Sequence, residues 1–266
     1  MRKFLKSLSV CLFPLLMVAC STVPYTGRSR FLFTSEAEET KMGLQAWREV
    51  RSKEKPNANK KVNAVVTRVG RAIAAVADKP DYKWEFRTFE SPQANAFCLP
   101  GGKVAVYTGI FKYMAYEAEL AAVVGHEVGH AIARHGGERV SQGMLQQAGA
   151  AIVATMVQKP TEREVALLIY GGATQLGAML PYSREHEYEA DQIGLMLMAK
   201  AGYDPRYAIK FWEKFSKASS NSSLGEWFST HPIGPHRVTE LKKHLPEAMR
   251  YYKKAKVKRG AGAKLK

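Results

Sequence analysis

Val62, Val65, Val66, Val69, Ile73 and Val76 recur every three or four positions, the spacing of one helix face, and predict an amphipathic helix. Ahead of it, Glu36, Glu38 and Glu39 suit the first turn of a helix running from Ser35 to about Lys53, with Lys55-Pro56-Asn57 as its break. The pattern then shortens: runs at 82–89, 94–99 and 104–108 predict strands, with Pro100-Gly101-Gly102 as the turn between the last two. A small antiparallel sheet follows from this. Helical spacing returns at 119–135 and at 183–198. A further helix starts at Asp204-Pro205 and brings Tyr207, Phe211, Trp212 and Phe215 to the core before a flexible loop at 218–225. Apolar stretches at 148–157 and 165–180 fall short of the roughly 18 residues of a membrane span and predict a helical hairpin. The expected fold class is α+β, mainly helical, with one domain over 35–250.

The chain ends change this picture. Arg2, Lys3 and Lys6 precede an apolar run of signal-peptide length, and Met17-Val18-Ala19-Cys20 reads as a lipobox. Residues 1–19 are thus expected to be a lipoprotein signal, with Cys20 the acylated residue and 20–34 a lipid-anchored, extended tether. Ser21 after that cysteine fits sorting to the outer membrane of a diderm bacterium, on its periplasmic face. Of the three cysteines, Cys11 leaves with the signal and Cys98 is left alone as a small buried hydrophobe, so no disulfide framework is expected. The formal charge of +16 and pI near 9.7 can signal nucleic acid. No recognised binding module accompanies them and export opposes the idea, so no nucleic-acid partner is expected. Basic residues concentrate at 251–266, predicted to be a disordered tail that could contact anionic headgroups.

The chemistry lies in His126-Glu127-Val128-Gly129-His130. Residues four apart share a helix face, so both imidazoles can reach one metal ion, while Glu127 is turned about 100° aside. Two imidazoles, a carboxylate and an open position suit one zinc per chain, and Glu127 is placed to act as general base. The pattern with a third histidine needs glycine and histidine where this chain has Ala133 and Gly136, so His135 is expected only to favour the end of the helix dipole, with Arg134. On a wheel of 183–198, Glu187 and Asp191 face the core, whereas Glu185 and Glu189 fall with Gln192 on a solvated face. Two buried carboxylates one turn apart need a cation or hydrogen-bond donors. Glu187 as metal ligand and Asp191 as acceptor from a ligand histidine meets that need; a pair held by arginines is the alternative. Later in the chain, His231 and His236 both lie in a Gly/Pro-rich segment that by itself does not choose between them.

These three motifs, His-Glu-x-Gly-His, Ser183-Arg184-x-x-Glu187-x-x-Ala190-Asp191 and Thr230-His231-Pro232 with Arg237, resemble the signature of the prenyl-protease/HtpX-type zinc metallopeptidases. The resemblance spans about 35–245 and is strongest to their periplasmic lipoprotein branch, the BepA-like proteins, without a repeat domain. It implies a gluzincin fold with the sheet beside the metal helix. It also implies zinc on His126, His130 and Glu187, with Glu127 as base and Asp191 and Arg237 supporting. His231 would stabilise the oxyanion or, in some members, cap the zinc in a latent form. Asn95, Ala96 and Phe97 would lie at a substrate-binding edge strand. The implied activity is hydrolysis of unfolded or misassembled envelope proteins; a chaperone or assembly factor for outer-membrane proteins with a largely latent zinc site is the competing expectation.

Overall fold

The computed structural model describes residues 20–156, 160, 164, 183–218, 224–231 and 236–265. The expected signal at 1–19 and the apolar stretch at 165–180 lie outside the described residues. In chain order the elements are β1 (Cys20–Thr22), β2 (Ser29–Phe31), α1 (Glu36–Lys53), α2 (Lys60–Ala74), β3 (Glu85–Phe89), β4 (Ala96–Leu99) and β5 (Lys103–Tyr107). Next come α3 (Glu117–Ala133), α4 (His135–Met156), α5 (Arg184–Lys200), α6 (Arg206–Lys217), α7 (Gly225–Thr230) and α8 (Arg237–Lys254). The chain divides into two units, 1–35 with 136–180 and 36–135 with 181–266.

In the second unit, Asn59 opens α2 by accepting hydrogen bonds from the N–H groups of Lys61 and Val62, which would otherwise lack partners in the first turn. The periodic stripe then buries Val66, Val69 and Ile73, and α2 packs on α3. The sheet departs from expectation: β4 pairs antiparallel with β5, but β3 pairs parallel with β5, so the sheet is mixed. The chain reverses between β3 and β4 and again between β4 and β5, so β5 returns in the direction of β3 and takes the central place. That leaves β4 at an edge, against α3. Trp47 of α1, Phe89 and Ala105 form a buried cluster behind the sheet.

Helix α3 is buried at all 17 positions, and its main partner is α5. Glycines set how closely the two cross. A Cβ on Gly125 would stand 2.8 Å from the Gly194 carbonyl oxygen, one on Gly129 2.8 Å from that of Ala190, and one on Gly194 2.6 Å from the His126 nitrogen. Backbone thus meets backbone, and the side chains one turn away are brought into a single cluster. The C-terminal stretch, expected to be disordered from 251, is instead ordered: α8 continues to Lys254, and the chain beyond it lies along α3 and the start of α6. Its carbonyls at Ala263 and Ala261 accept from the N–H groups of Glu117 and Ala118, and that of Gly260 from Asp204. These first-turn donors of α3 need acceptors, and that need orders a tail whose composition alone predicts disorder.

In the first unit, β1 and β2 form an antiparallel hairpin where an extended tether was expected. Arg28 grips both carboxylate oxygens of Glu138 at 2.9 and 2.6 Å, and the Phe33 N–H donates to Ser141 Oγ at 2.8 Å. Of the apolar stretch at 148–157, residues 148–156 form the last part of α4 and 157 lies outside the described residues; the helix exposes Met144, Leu145, Ile152 and Met156. No helix among the described residues is long and apolar enough to cross a membrane.

Candidate metal centre

The crossing of α3 and α5 brings His126, His130 and Glu187 together, and the end of α7 adds His231. His126 Nε2 lies 3.1 Å from His130 Nε2 and 3.4 Å from Glu187 Oε2. Glu187 Oε1 is 3.3 Å from His130 Nε2 and 3.1 Å from His231 Nδ1, which stands 3.4 Å from His126 Nε2. Zinc bonds of about 2.0–2.1 Å place the corners of a tetrahedron roughly 3.3–3.4 Å apart, so the observed separations fit one zinc-sized ion. Glu187 Oε2 is buried and makes no hydrogen bond among the described residues, its cationic neighbour being Arg237 Nη1 at 3.5 Å, so it retains a lone pair for a metal. The donor set of imidazoles and carboxylate is itself suited to zinc.

Around this cluster each group is held from behind. His126 Nδ1 lies 2.9 Å from Asp191 Oδ1. Arg237 donates to both oxygens of Asp191, at 2.6 Å through Nε and 2.8 Å through Nη2, and its guanidinium lies over the Trp212 ring at 3.6 Å. Such a pair satisfies two buried charges in one geometry. Burial and Arg237 disfavour a proton on His126, but Asp191 and Glu187 outweigh them and lift its pKa to about 9. Burial holds His130 well below the ordinary histidine value despite Glu187. Burial also acts on Glu187, yet His231, His126 and His130 keep its carboxyl well below the usual range.

Glu127 is buried beside the cluster, with its Oε1 3.6 Å from His231 Nε2 and without a hydrogen-bond donor among the described residues. Burial pushes its pKa up, which suits a group that must take and return a proton. Cys98, expected to be buried, is half-buried; desolvation, helped by the Glu127 charge, still pushes its thiol up, which fits an inert side chain. Of the two loop histidines, His231 is buried and stacks on Trp227 (4.5 Å, 24°), whereas His236 is exposed. Asn95 and Ala96 are buried and Phe97 is half-buried at the start of the edge strand β4. Cys20 begins β1 in the other unit.

Two residues escaped the sequence reasoning. His135, expected at a helix end, is fully buried, with its Nδ1 2.8 Å from His130 Nδ1. Glu189, expected on a solvated face, is 6% exposed and its Oε2 lies 2.9 Å from His135 Nε2. The helical wheel failed here because α5 is not amphipathic: 12 of its 17 residues are buried, so a residue opposite Glu187 also meets protein. Glu185 does remain exposed.

Among known proteins, the chain matches the model of peptidase family M48 over residues 60–245. It is 36% identical over 230 residues to the mitochondrial metalloendopeptidase OMA1 of Schizosaccharomyces pombe, a match covering 85% of this chain and 66% of that protein. Identity to the Arabidopsis thaliana OMA1 is 38% over 191 residues, covering 71% of this chain and 38% of the relative. The beta-barrel assembly-enhancing protease of Escherichia coli K12 is 24% identical over 229 residues, covering 84% of this chain and 47% of the relative. The chain therefore spans about half the length of the curated relatives it matches, and it is more similar to these two mitochondrial proteins than to the assembly-enhancing protease.

Proposed function

The chain belongs to peptidase family M48, and from that membership we propose that it is a zinc metalloendopeptidase whose metal is held by His126, His130 and Glu187. The observation that carries the assignment is the convergence of these side chains, with the two imidazole Nε2 atoms 3.1 Å apart, Glu187 Oε2 3.4 Å from that of His126 and Glu187 Oε1 3.3 Å from that of His130. Zinc held there supplies Lewis acidity to a scissile carbonyl and to the attacking water. Glu127 takes the proton of that water as its oxygen joins the carbonyl carbon, then delivers the proton to the amine as the C–N bond breaks. Asp191, fixed by Arg237, accepts from His126 Nδ1–H and so keeps Nε2 free as a donor to the metal. An extended substrate adds to the edge of β4 at Asn95–Phe97. His231 hydrogen-bonds the developing oxyanion once it leaves the carboxylate of Glu187.

The proposed substrates are unfolded or misassembled envelope proteins, met at the periplasmic face of the outer membrane by a chain anchored through lipid on Cys20. The lipobox pattern and the name of the E. coli relative support this setting. A second reading, an assembly factor with a largely latent site, draws on one observation: His231 Nδ1 occupies the fourth corner of the cluster, where water would have to enter. Metal content by mass spectrometry, paired with casein cleavage, separates the two. One zinc per chain in wild type and in Glu127→Gln, with cleavage by wild type alone, is expected. Zinc without cleavage in either, with cleavage appearing in His231→Ala, would establish latency instead, and a wild type without zinc would sink both.

A further inference from the structure

We infer that His135 and Glu189 are positioning residues that fix the tautomer and ring angle of His130 through a relay running Glu189–His135–His130. The inference rests on the zinc site proposed above and extends it to groups that do not touch the metal. His130 turns Nε2 toward Glu187 and His126, so a metal there needs the lone pair of Nε2, and the single proton of a neutral imidazole must sit on Nδ1. That N–H points at His135 Nδ1, 2.8 Å away, and donates to it. With Nδ1 accepting, the proton of His135 sits on Nε2, from which it donates to Glu189 Oε2 at 2.9 Å. Each of the four ring nitrogens then has one role, and the series ends on a carboxylate.

Burial makes the arrangement specific. Both His135 and Glu189 are out of water, where an unpaired polar group is costly, so each helps to hold the other in place. The His186 ring stacks on His135 at 4.2 Å and 23°, fixing its plane. The backbone is set too: Arg134, in the left-handed conformation at φ 58°, ends α3 immediately before His135 and is clamped to Glu39 at 2.7 and 3.0 Å. A buried histidine paired with a glutamate could serve packing alone. Here its second nitrogen is aimed at the nitrogen of His130 that faces away from the cluster, the place from which an outer partner orients a ligand.

The test is zinc affinity, measured by chelator competition on the full chain. His135→Ala is expected to weaken binding about 10–100-fold, the usual effect of losing an outer partner. His135→Gln recovers most of that loss, because its amide oxygen can accept from His130 and its NH2 can donate to Glu189. Glu189→Ala weakens binding in the same direction, and the double alanine variant is no weaker than His135→Ala alone, since the two act in series. In the zinc-loaded protein, the His130 Nδ1–H resonance is expected to be protected in wild type and in His135→Gln and lost in Glu189→Ala or His135→Ala. Wild-type affinity in a folded His135→Ala, or losses that add in the double variant, would overturn the relay. If His135→Ala does not fold, the decision falls to Glu189→Ala, whose wild-type affinity and unchanged resonance would be equally fatal. A wild type that binds no zinc removes the site itself, which distinguishes that failure from failure of the relay alone.

Discussion

The two histidines that α3 brings to the metal cluster sit one helical turn apart, yet they are supported in opposite ways. His126 rests directly on a carboxylate, Asp191, which is itself clamped by a buried guanidinium. His130 rests on a second imidazole, His135, and reaches the Glu189 carboxylate through that ring. The first support is ionic and comes from α5 and α8; the second passes through an imidazole and crosses the break between α3 and α4. A charge pair out of water is held firmly when complete and is costly when broken, whereas a relay of neutral rings is cheaper to interrupt.

That difference predicts unequal consequences. In protein stripped of metal, Asp191→Ala takes from the Arg237 guanidinium, 2% exposed, the carboxylate that accepts from its Nε and Nη2, leaving it the looser contact with Glu187 Oε2 at 3.5 Å, and is expected to cost about 3–5 kcal/mol. Glu189→Ala leaves the Nε2–H of His135 without this acceptor and is expected to cost about 1–3 kcal/mol. Urea unfolding of the two variants with chelator present gives both values; equal costs would erase the distinction between the supports.

The two sides also respond to pH in opposite directions. His126 has its pKa raised to about 9 in the folded chain against roughly 6.5 unfolded, so its contribution to stability is complete below about 6.5 and is lost as pH rises through 9. The shift corresponds to about 3 kcal/mol in this fully buried group. His130 is depressed, so its contribution is present above about 6.5 and is lost as pH falls below that value. Metal-free wild type should therefore lose stability on both sides of neutrality. Asp191→Ala should flatten the alkaline limb alone, and an unchanged alkaline limb in that variant would contradict the role given to Asp191.

How much of this the sequence revealed depends on the same contrast. The meeting of His126, His130, Glu187 and Asp191 was legible because each pair lies on one helix and obeys its periodicity. The helices around Val66 and Trp212 were legible for the same reason. The parallel pairing of β3 with β5 was not, since alternation within a strand says nothing of which neighbour it takes. His135 and Glu189 were hidden because their contact joins residues 54 apart across a helix break that Arg134 makes by a left-handed turn. The ordered tail was hidden because its composition is that of a solvated segment, while its order comes from donors on α3.

A change beneath both histidines should abolish their difference. Gly129→Ala would place a methyl group 2.8 Å from the Ala190 carbonyl oxygen, with backbone on both sides and no flexible side chain to move. The crossing of α3 over α5 must then widen, at about 1–3 kcal/mol in unfolding free energy. Because Glu187 moves away from both imidazoles together, zinc affinity should fall whichever outer partner is intact. Isothermal titration with zinc in wild type, Gly129→Ala and the double variant Gly129→Ala/Glu189→Ala tests this. Retained wild-type affinity in Gly129→Ala would mean that the helix crossing does not set the donor separations.

The smallest expected effect supplies the control that the comparison needs. Asn59 caps α2 through the N–H groups of Lys61 and Val62 and touches neither histidine nor their partners. Asn59→Ala should cost about 1 kcal/mol, near the lower end of what Glu189→Ala is expected to cost. If loss of zinc affinity merely tracked loss of stability, the two variants would weaken zinc binding alike. The relay predicts otherwise: Asn59→Ala should bind zinc as wild type does, while Glu189→Ala should not. Chelator competition and urea unfolding on the same two samples decide it, because an affinity loss in Asn59→Ala that matches its lost stability would reduce the relay to general fragility.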